Sequence, residues 1–289
     1  MGQASEGSDF ESYAKIARWM AQQPDPEMRA AGWSYLARHT YELGEIDQGE
    51  YLDQVRSLVD EHPSSAVLYF LAQGCSRLEI LSECREAGLP EAVRQHAGGN
   101  PLILRFFHQP GSADFRNVLI EAESLESNVG LEAQLWFRAL QDGPREAPSG
   151  LSDIVTAMQV GVISGYLDLD PMIEPCRQID EDDQALEQAC QRLATRMLDS
   201  STLLLQNLGF TLTRERALAR GDQERAGELL QAQEALEGRL MCLAGLVGPR
   251  LERGDQVQYG RFLEIFTQDG EIAAFEFAAG EAASDCPPA

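Results

Sequence analysis

Apolar side chains return every three or four positions along most of this chain, and prolines and glycines cut those returns into segments of helix length. Phe10, Tyr13, Ile16, Ala17 and Met20 share one helical face. Ser8 is placed to cap that helix, with Glu11 at the capping-box distance and Pro24 and Pro26 closing it. A second helix is expected from about Glu27 to Leu43, with Trp33, Leu36, Ala37 and Tyr41 inward and Gly44 at its end. A third carries Tyr51, Val55, Leu58 and Val59 as far as His62-Pro63, and a fourth starts at Ser64 or Ser65. Composition points the same way: β-branched residues are sparse beside Ala, Leu, Glu, Gln and Arg, and only 7% of the chain is aromatic. The expected fold class is all-α. At 289 residues and 44% hydrophobic, the chain is large enough for a core of its own or for two domains.

The turns add an arrangement. Arg220-Gly221-Asp222-Gln223 is followed by Gly227 and Leu230, and Arg253-Gly254-Asp255-Gln256 by Gly260 and Leu263, an offset of 33 positions. That spacing falls in the range of helix-pair repeats. Arg-Gly-Asp is read here as a helix–helix turn, Gly ending one helix and Asp capping the next, rather than as an adhesion motif. In spacing, residues 27 to 63 resemble a tetratricopeptide-like hairpin: Trp33 and Leu36-Ala37 on one helix, a turn at Gly44, a second helix, then Pro63. The resemblance implies stacked helical hairpins, an irregular α-solenoid. The expected division is an N-terminal helical region over 8–141, a linker over 142–150 rich in Gly and Pro, a C-terminal helical region over 151–279, and a disordered tail over 280–289. Within it, Phe115 to Ser124 and Gly130 to Leu140 read as a helical pair and Ser152 to Leu167 as a buried helix, with a strand as the alternative.

Six cysteines occur, and none forms CxxC. Thiol-redox and zinc-ribbon chemistry is therefore a poor fit. Cys75 and Cys84 are 9 positions apart, Cys176 and Cys190 are 14. On a continuous helix those separations are roughly 13 and 21 Å, whereas a disulfide needs Cα atoms about 4.4 to 6.8 Å apart. Either the chain breaks between the members of each pair or the cysteines are simply buried. Pro171 and Pro175 with the run Asp180 to Asp183 supply such a break, and Gly74 and Ser76 weaken helix at the other pair. The two cysteine neighbourhoods, the Asn100-Pro101 turn, Cys190-Gln191-Arg192-Leu193-Ala194 and the stretch Leu203 to Gly209 are similar to a family of exported helical proteins of xanthomonad-type bacteria. The resemblance implies a periplasmic or lipid-anchored protein with disulfides Cys75–Cys84 and Cys176–Cys190, and no defined activity. Cys242, among Leu240, Leu243, Leu246 and Val247, reads as core, and Cys286 as part of the loose tail.

Charge narrows the partners. Against 47 Asp plus Glu stand 23 Lys plus Arg, a formal net of −24. Nucleic acid and anionic membranes need clustered cations, which this chain lacks. A basic protein would be steered toward it, although acidity also serves solubility alone. No run of about 18 apolar residues exists, so no transmembrane segment is expected. The polar start Met1 to Ser8 has no signal-peptide pattern, and reads equally well as the beginning left by a removed signal or lipid anchor.

Catalytic patterns are scarce. His39, His62, His96 and His108 show no HExxH spacing. His96 and His108 flank the Gly98-Gly99-Asn100-Pro101 turn, but two histidines make a poor metal site. That turn lacks the lysine of a phosphate loop, Gly161 to Gly165 has the wrong order for a nucleophile elbow, and Asp168-Leu169-Asp170-Pro171 opens an EF-hand pattern and departs from it. No catalytic residue, cofactor or metal is assigned. The expected function is non-enzymatic protein binding in the bacterial envelope, as an immunity protein neutralising a basic secreted antibacterial toxin. The alternatives are an envelope scaffold or assembly factor and a helical cell-wall hydrolase, with a cytoplasmic adaptor if the cysteines are free. Candidate contact residues are Trp19, Tyr41, Asp180, Glu181 and Asp182.

Overall fold

The computed structural model describes residues 6–43, 46–109, 111–126, 128, 131–132, 135, 138–139, 142–144, 173–177, 183–200, 203–251 and 256–288. Every regular element among them is helical, and none is a strand. The chain divides into two compact units, residues 1–153 and 154–289. Of the stretch 142–150 only 142–144 are described, and the expected helix at 152–167 and the second Arg-Gly-Asp lie outside the described residues.

The first unit contains α1 (Glu6–Ala21), α2 (Pro26–Leu43), α3 (Gln48–Glu61), α4 (Ser65–Arg77), α5 (Leu81–Glu86), α6 (Leu89–His96), α7 (Pro101–Leu104), a 3-10 turn (Arg105–Phe107) and α8 (Ala113–Glu121). Ser8 lies inside α1, which begins two residues earlier at Glu6, so it does not cap the helix. The cap that works is on α2: Asp25 Oδ1 accepts from the backbone N–H of Glu27 and Met28, and Pro26 occupies the first helical position, where its missing N–H costs nothing. Asp47, Ser64 and Ser112 cap α3, α4 and α8 in the same way. α2 packs on α1 and on α4 more than on its chain neighbour α3. Polar groups are matched where α2 meets α4: Ser34 is fully buried, donates to Gln73, and accepts with its carbonyl from Arg77. α8 ends at Glu121, three residues short of the expected Ser124, and the chain continues extended.

Tyr51 of α3 is fully buried against α4. Its hydroxyl donates to the Leu71 carbonyl at 2.9 Å, and its ring meets Trp33 edge-on. Space for it exists because residue 74 is glycine: a Cβ there would stand 2.0 Å from the Tyr51 hydroxyl oxygen. α4 then ends in a Schellman motif, with Glu79 N–H to Ser76 C=O and Ile80 N–H to Cys75 C=O. Glu79 takes the left-handed conformation usually given to glycine. That reversal supplies the break needed between Cys75 and Cys84, which are bridged with Cα atoms 6.4 Å apart.

The second unit contains a helical turn at 173–177, α9 (Gln184–Leu198), α10 (Leu203–Ala219), α11 (Gln223–Leu251), α12 (Gln256–Asp269), α13 (Glu271–Ala279) and a 3-10 helix (Gly280–Asp285). Asp183 caps α9, and Cys190 on that helix bridges to Cys176 on the preceding turn, Cα atoms 5.6 Å apart. The Arg220-Gly221-Asp222 segment is a helix–helix turn: Gly221 has φ +76° and Asp222 Oδ1 accepts from Arg225 N–H, capping α11. Consecutive helices pack together for α9–α10, α10–α11 and α12–α13, and α13 also packs on α11.

The chain end departs from the expectation of a disordered tail. Residues 280–285 form a 3-10 helix, and Cys286 is buried against Leu243, Val247 and Ala279 and bridged to Cys242. Cys242 is thus a disulfide partner and not a free core thiol. Arg239 fixes the segment from the polar side, donating to Glu276 and to the carbonyls of Cys286 and Pro287.

Gly74→Ala is expected to lower stability in urea by about 1–3 kcal/mol, the usual cost of overpacking. Adding Tyr51→Phe should recover part of that loss, because the hydroxyl at 2.0 Å is gone while the ring carbon at 2.6 Å remains. Strict additivity of the two changes would show that the contact is not what excludes a side chain at 74.

Candidate functional site

A groove of about 500 Å³ opens in the first unit between the end of α6, the 97–100 turn and α8. The turn is what shapes it. Gly98 and Gly99 both have positive φ, and the chain leaving α8 is bonded onto them: Glu123 N–H donates to the Gly98 carbonyl, Ser124 Oγ to the Ala97 carbonyl. A Cβ on Gly98 would lie 2.9 Å from Ser124 Oγ, so the close pass requires glycine. Asn100, fully buried, locks the same turn by accepting from Leu102 N–H and donating to the Glu126 carbonyl.

Arg94, His108, Asp114, Asn117, Glu121 and Glu123 give the groove its polar lining, with Leu104 and Val118 beneath. Arg94 is paired with Glu91 one turn back at 3.5 Å. Asp114, Glu121 and Glu123 are exposed and have no ion-pair partner among the described residues. His108 follows the 3-10 turn, whose Phe107 carbonyl is held by Arg85. Its Nε2 is buried without a hydrogen-bond partner. Partial burial, and then the charges of Arg85 and Arg94, hold the imidazole below its ordinary range, with Asp114 pulling the other way. That shift favours the neutral imidazole, and carboxylates outnumber cations around the groove. Such a lining favours a cationic group over an anion.

Other chemistry has less to work with. All six cysteines are in disulfides, which leaves no thiolate as nucleophile or metal ligand. Among the described residues no group of three or more His, Cys, Asp or Glu is arranged to hold a metal, and no helix is long and apolar enough to cross a membrane.

Of the residues expected at the contact, Trp19 alone has a described side chain, and it does not line this groove. Trp19 on α1 is half-buried, its carbonyl accepting from Gln22 N–H and Gln23 Nε2. Tyr41 belongs to α2, and its side chain lies outside the described residues, as do Asp180, Glu181 and Asp182. His96 is exposed and is not part of the groove. Sequence patterning does not single out Asp114, Glu121 and Glu123, because three acids on and beyond one short helix look like a solvated face. Only the Gly98-Gly99 turn, which folds the α8 exit back, turns them toward a concavity. No protein-family model, curated protein sequence or solved structure matches the chain.

The His108 resonances provide a check of the groove's electrostatics. Removing a cation with Arg94→Gln should raise the pH at which His108 titrates, and removing an anion with Asp114→Asn should lower it. Both are read by proton–carbon NMR of the imidazole; shifts of the opposite sign would contradict the charge arrangement described.

Proposed function

We propose that the chain is a protein-binding helical protein of the bacterial envelope whose partner is a basic protein. In this reading its helices stack as hairpins of an irregular solenoid, and the partner is a secreted antibacterial toxin that the chain neutralises as an immunity protein. The observation that carries the reading is the groove, where Asp114, Glu121 and Glu123 are exposed with no ion-pair partner among the described residues.

Two further features support it. The acidity is spread evenly: residues 1–153 hold 24 Asp plus Glu against 12 Lys plus Arg, and residues 154–289 hold 23 against 11, a net of −12 in each unit. A field of one sign over the whole chain accelerates encounter with a cationic partner. The three disulfides are compatible with an address outside the reducing cytosol, because bridges persist in oxidising compartments. In the periplasm, a stapled chain of this charge would meet cationic proteins in transit.

The test is binding of cationic secreted proteins of the native host, measured by calorimetry at rising salt. A partner should bind more weakly as salt screens the charges. The triple change Asp114→Asn, Glu121→Gln, Glu123→Gln should lower the affinity about tenfold or more, since truncating charged partners in an interface costs upward of roughly 1.4 kcal/mol. Binding that is indifferent to salt and to all three substitutions would overturn the reading.

A further inference from the structure

Among the described residues, one acidic side chain is buried: Glu271, 6% exposed, at the start of α13. Its Oε2 accepts from the backbone N–H of Leu203 at 2.9 Å, the first residue of the 17-residue α10. Its Oε1 is buried with no hydrogen-bond partner. Asn207, one turn along α10 and 4% exposed, brings a second buried acceptor, Oδ1, that also lacks a donor. A carboxylate here has one oxygen satisfied by a helix N-terminus and one charged oxygen facing nothing. A protonated carboxyl keeps the bond to Leu203 and brings no uncompensated charge into the buried site.

Among the described residues, the charges on the surrounding elements do not supply a counter-ion. On α11, Arg239 is engaged with Glu276 and the chain end; on α12, Arg261 pairs with Glu264 and Asp269 is exposed; on the terminal 3-10 helix, Glu281 and Asp285 are exposed. The charged groups of α10, Arg214, Glu215 and Arg216, lie at its far end, where Glu215 pairs with Arg177, and Arg216, with Arg220 of the following turn, pairs with Glu187. The opposite end of α13 is held differently, by the Cys242–Cys286 bridge and by Arg239 on the Cys286 and Pro287 carbonyls.

We propose that α13 is a strap with two locks, a proton on Glu271 at its start and the Cys242–Cys286 disulfide behind its end, and that its start loosens from α10 as pH rises. Burial displaces the carboxyl upward, more than the bonds from the Leu203 and Glu271 N–H groups lower it. A carboxyl raised in the folded state contributes stability that is full below its unfolded value, about 4.3, and is lost as pH rises through the folded value. The disulfide is indifferent to this range, so the loosened strap stays tethered and returns on acidification.

The experiment is amide exchange of the full chain from pH 5 to 8, corrected for intrinsic rates, on wild type, Glu271→Gln and the Cys242→Ser/Cys286→Ser double variant. Protection of the Leu203 amide and of α13 should fall with pH in wild type by about tenfold per pH unit that Glu271 is displaced. Glu271→Gln, which mimics the protonated acid, should hold the low-pH protection throughout. The double variant should keep the pH dependence and lose protection near Ala279 at every pH. A carbon-13 titration of the Glu271 carboxyl in wild type decides the matter if Glu271→Gln does not fold: a value in the ordinary glutamate range overturns the proposal. So does the same pH dependence of protection in Glu271→Gln as in wild type.

Discussion

Each disulfide joins a long helix to a segment too short to hold itself in place. Cys84 sits on the six-residue α5 and is bridged to the 13-residue α4; Cys176 sits on the turn at 173–177 and is bridged to the 15-residue α9; Cys286 follows the six-residue 3-10 helix and is bridged to the 29-residue α11. Helices below about 12 residues are marginal in water, because nucleation fixes several dihedrals before hydrogen bonds repay it. A bridge removes much of that disadvantage from the unfolded side. In the chain-entropy picture, loops of these lengths contribute about 2.5, 3 and 4 kcal/mol. The third is the largest because it spans 44 positions, and it secures the chain end.

The position of the bridges explains which parts of the fold are legible in the sequence. Helices α2 to α4, the Asp222 cap and the Gly221 turn follow from local rules, since cap, periodicity and breaker lie within a few residues of one another. The breaks inside the two short cysteine pairs are local too: Asp183 caps where an acidic run follows two prolines, and Gly74 precedes the reversal at Glu79. Cys242 and Cys286 are not legible as a pair. Forty-four positions carry no geometric information, and a tail of Ser, Asp and Pro has the composition of disorder. Arg239 orders it, its guanidinium gathering two tail carbonyls, and nothing in the order of residues announces that contact. The groove is hidden for the same reason, since Asp114 and Glu123 face one cavity only after the 97–100 turn bonds to the α8 exit.

Carboxylates play two opposite parts in this chain. Those of the groove are solvated and unpaired, so their energy is long-range, additive and open to screening by salt. Glu271 is desolvated, so its energy is local and depends on one proton. Both make the fold less comfortable as pH rises, the first through repulsion within a chain of net −24 and the second through an uncompensated buried charge.

Salt separates these two effects. Repulsion between exposed acids decays over a screening length of about 8–10 Å at physiological ionic strength, and at high salt it largely disappears. A charge that has been taken out of water is screened far less, because mobile ions do not enter the site. A loss of stability with rising pH that persists in high salt is therefore the behaviour expected of Glu271 and the start of α13, whereas one that fades is that of the surface. The same distinction bears on partner binding. A cationic protein relieves the repulsion on the exposed surface it covers, so the salt dependence of its binding reports on the solvated acids and not on a desolvated one.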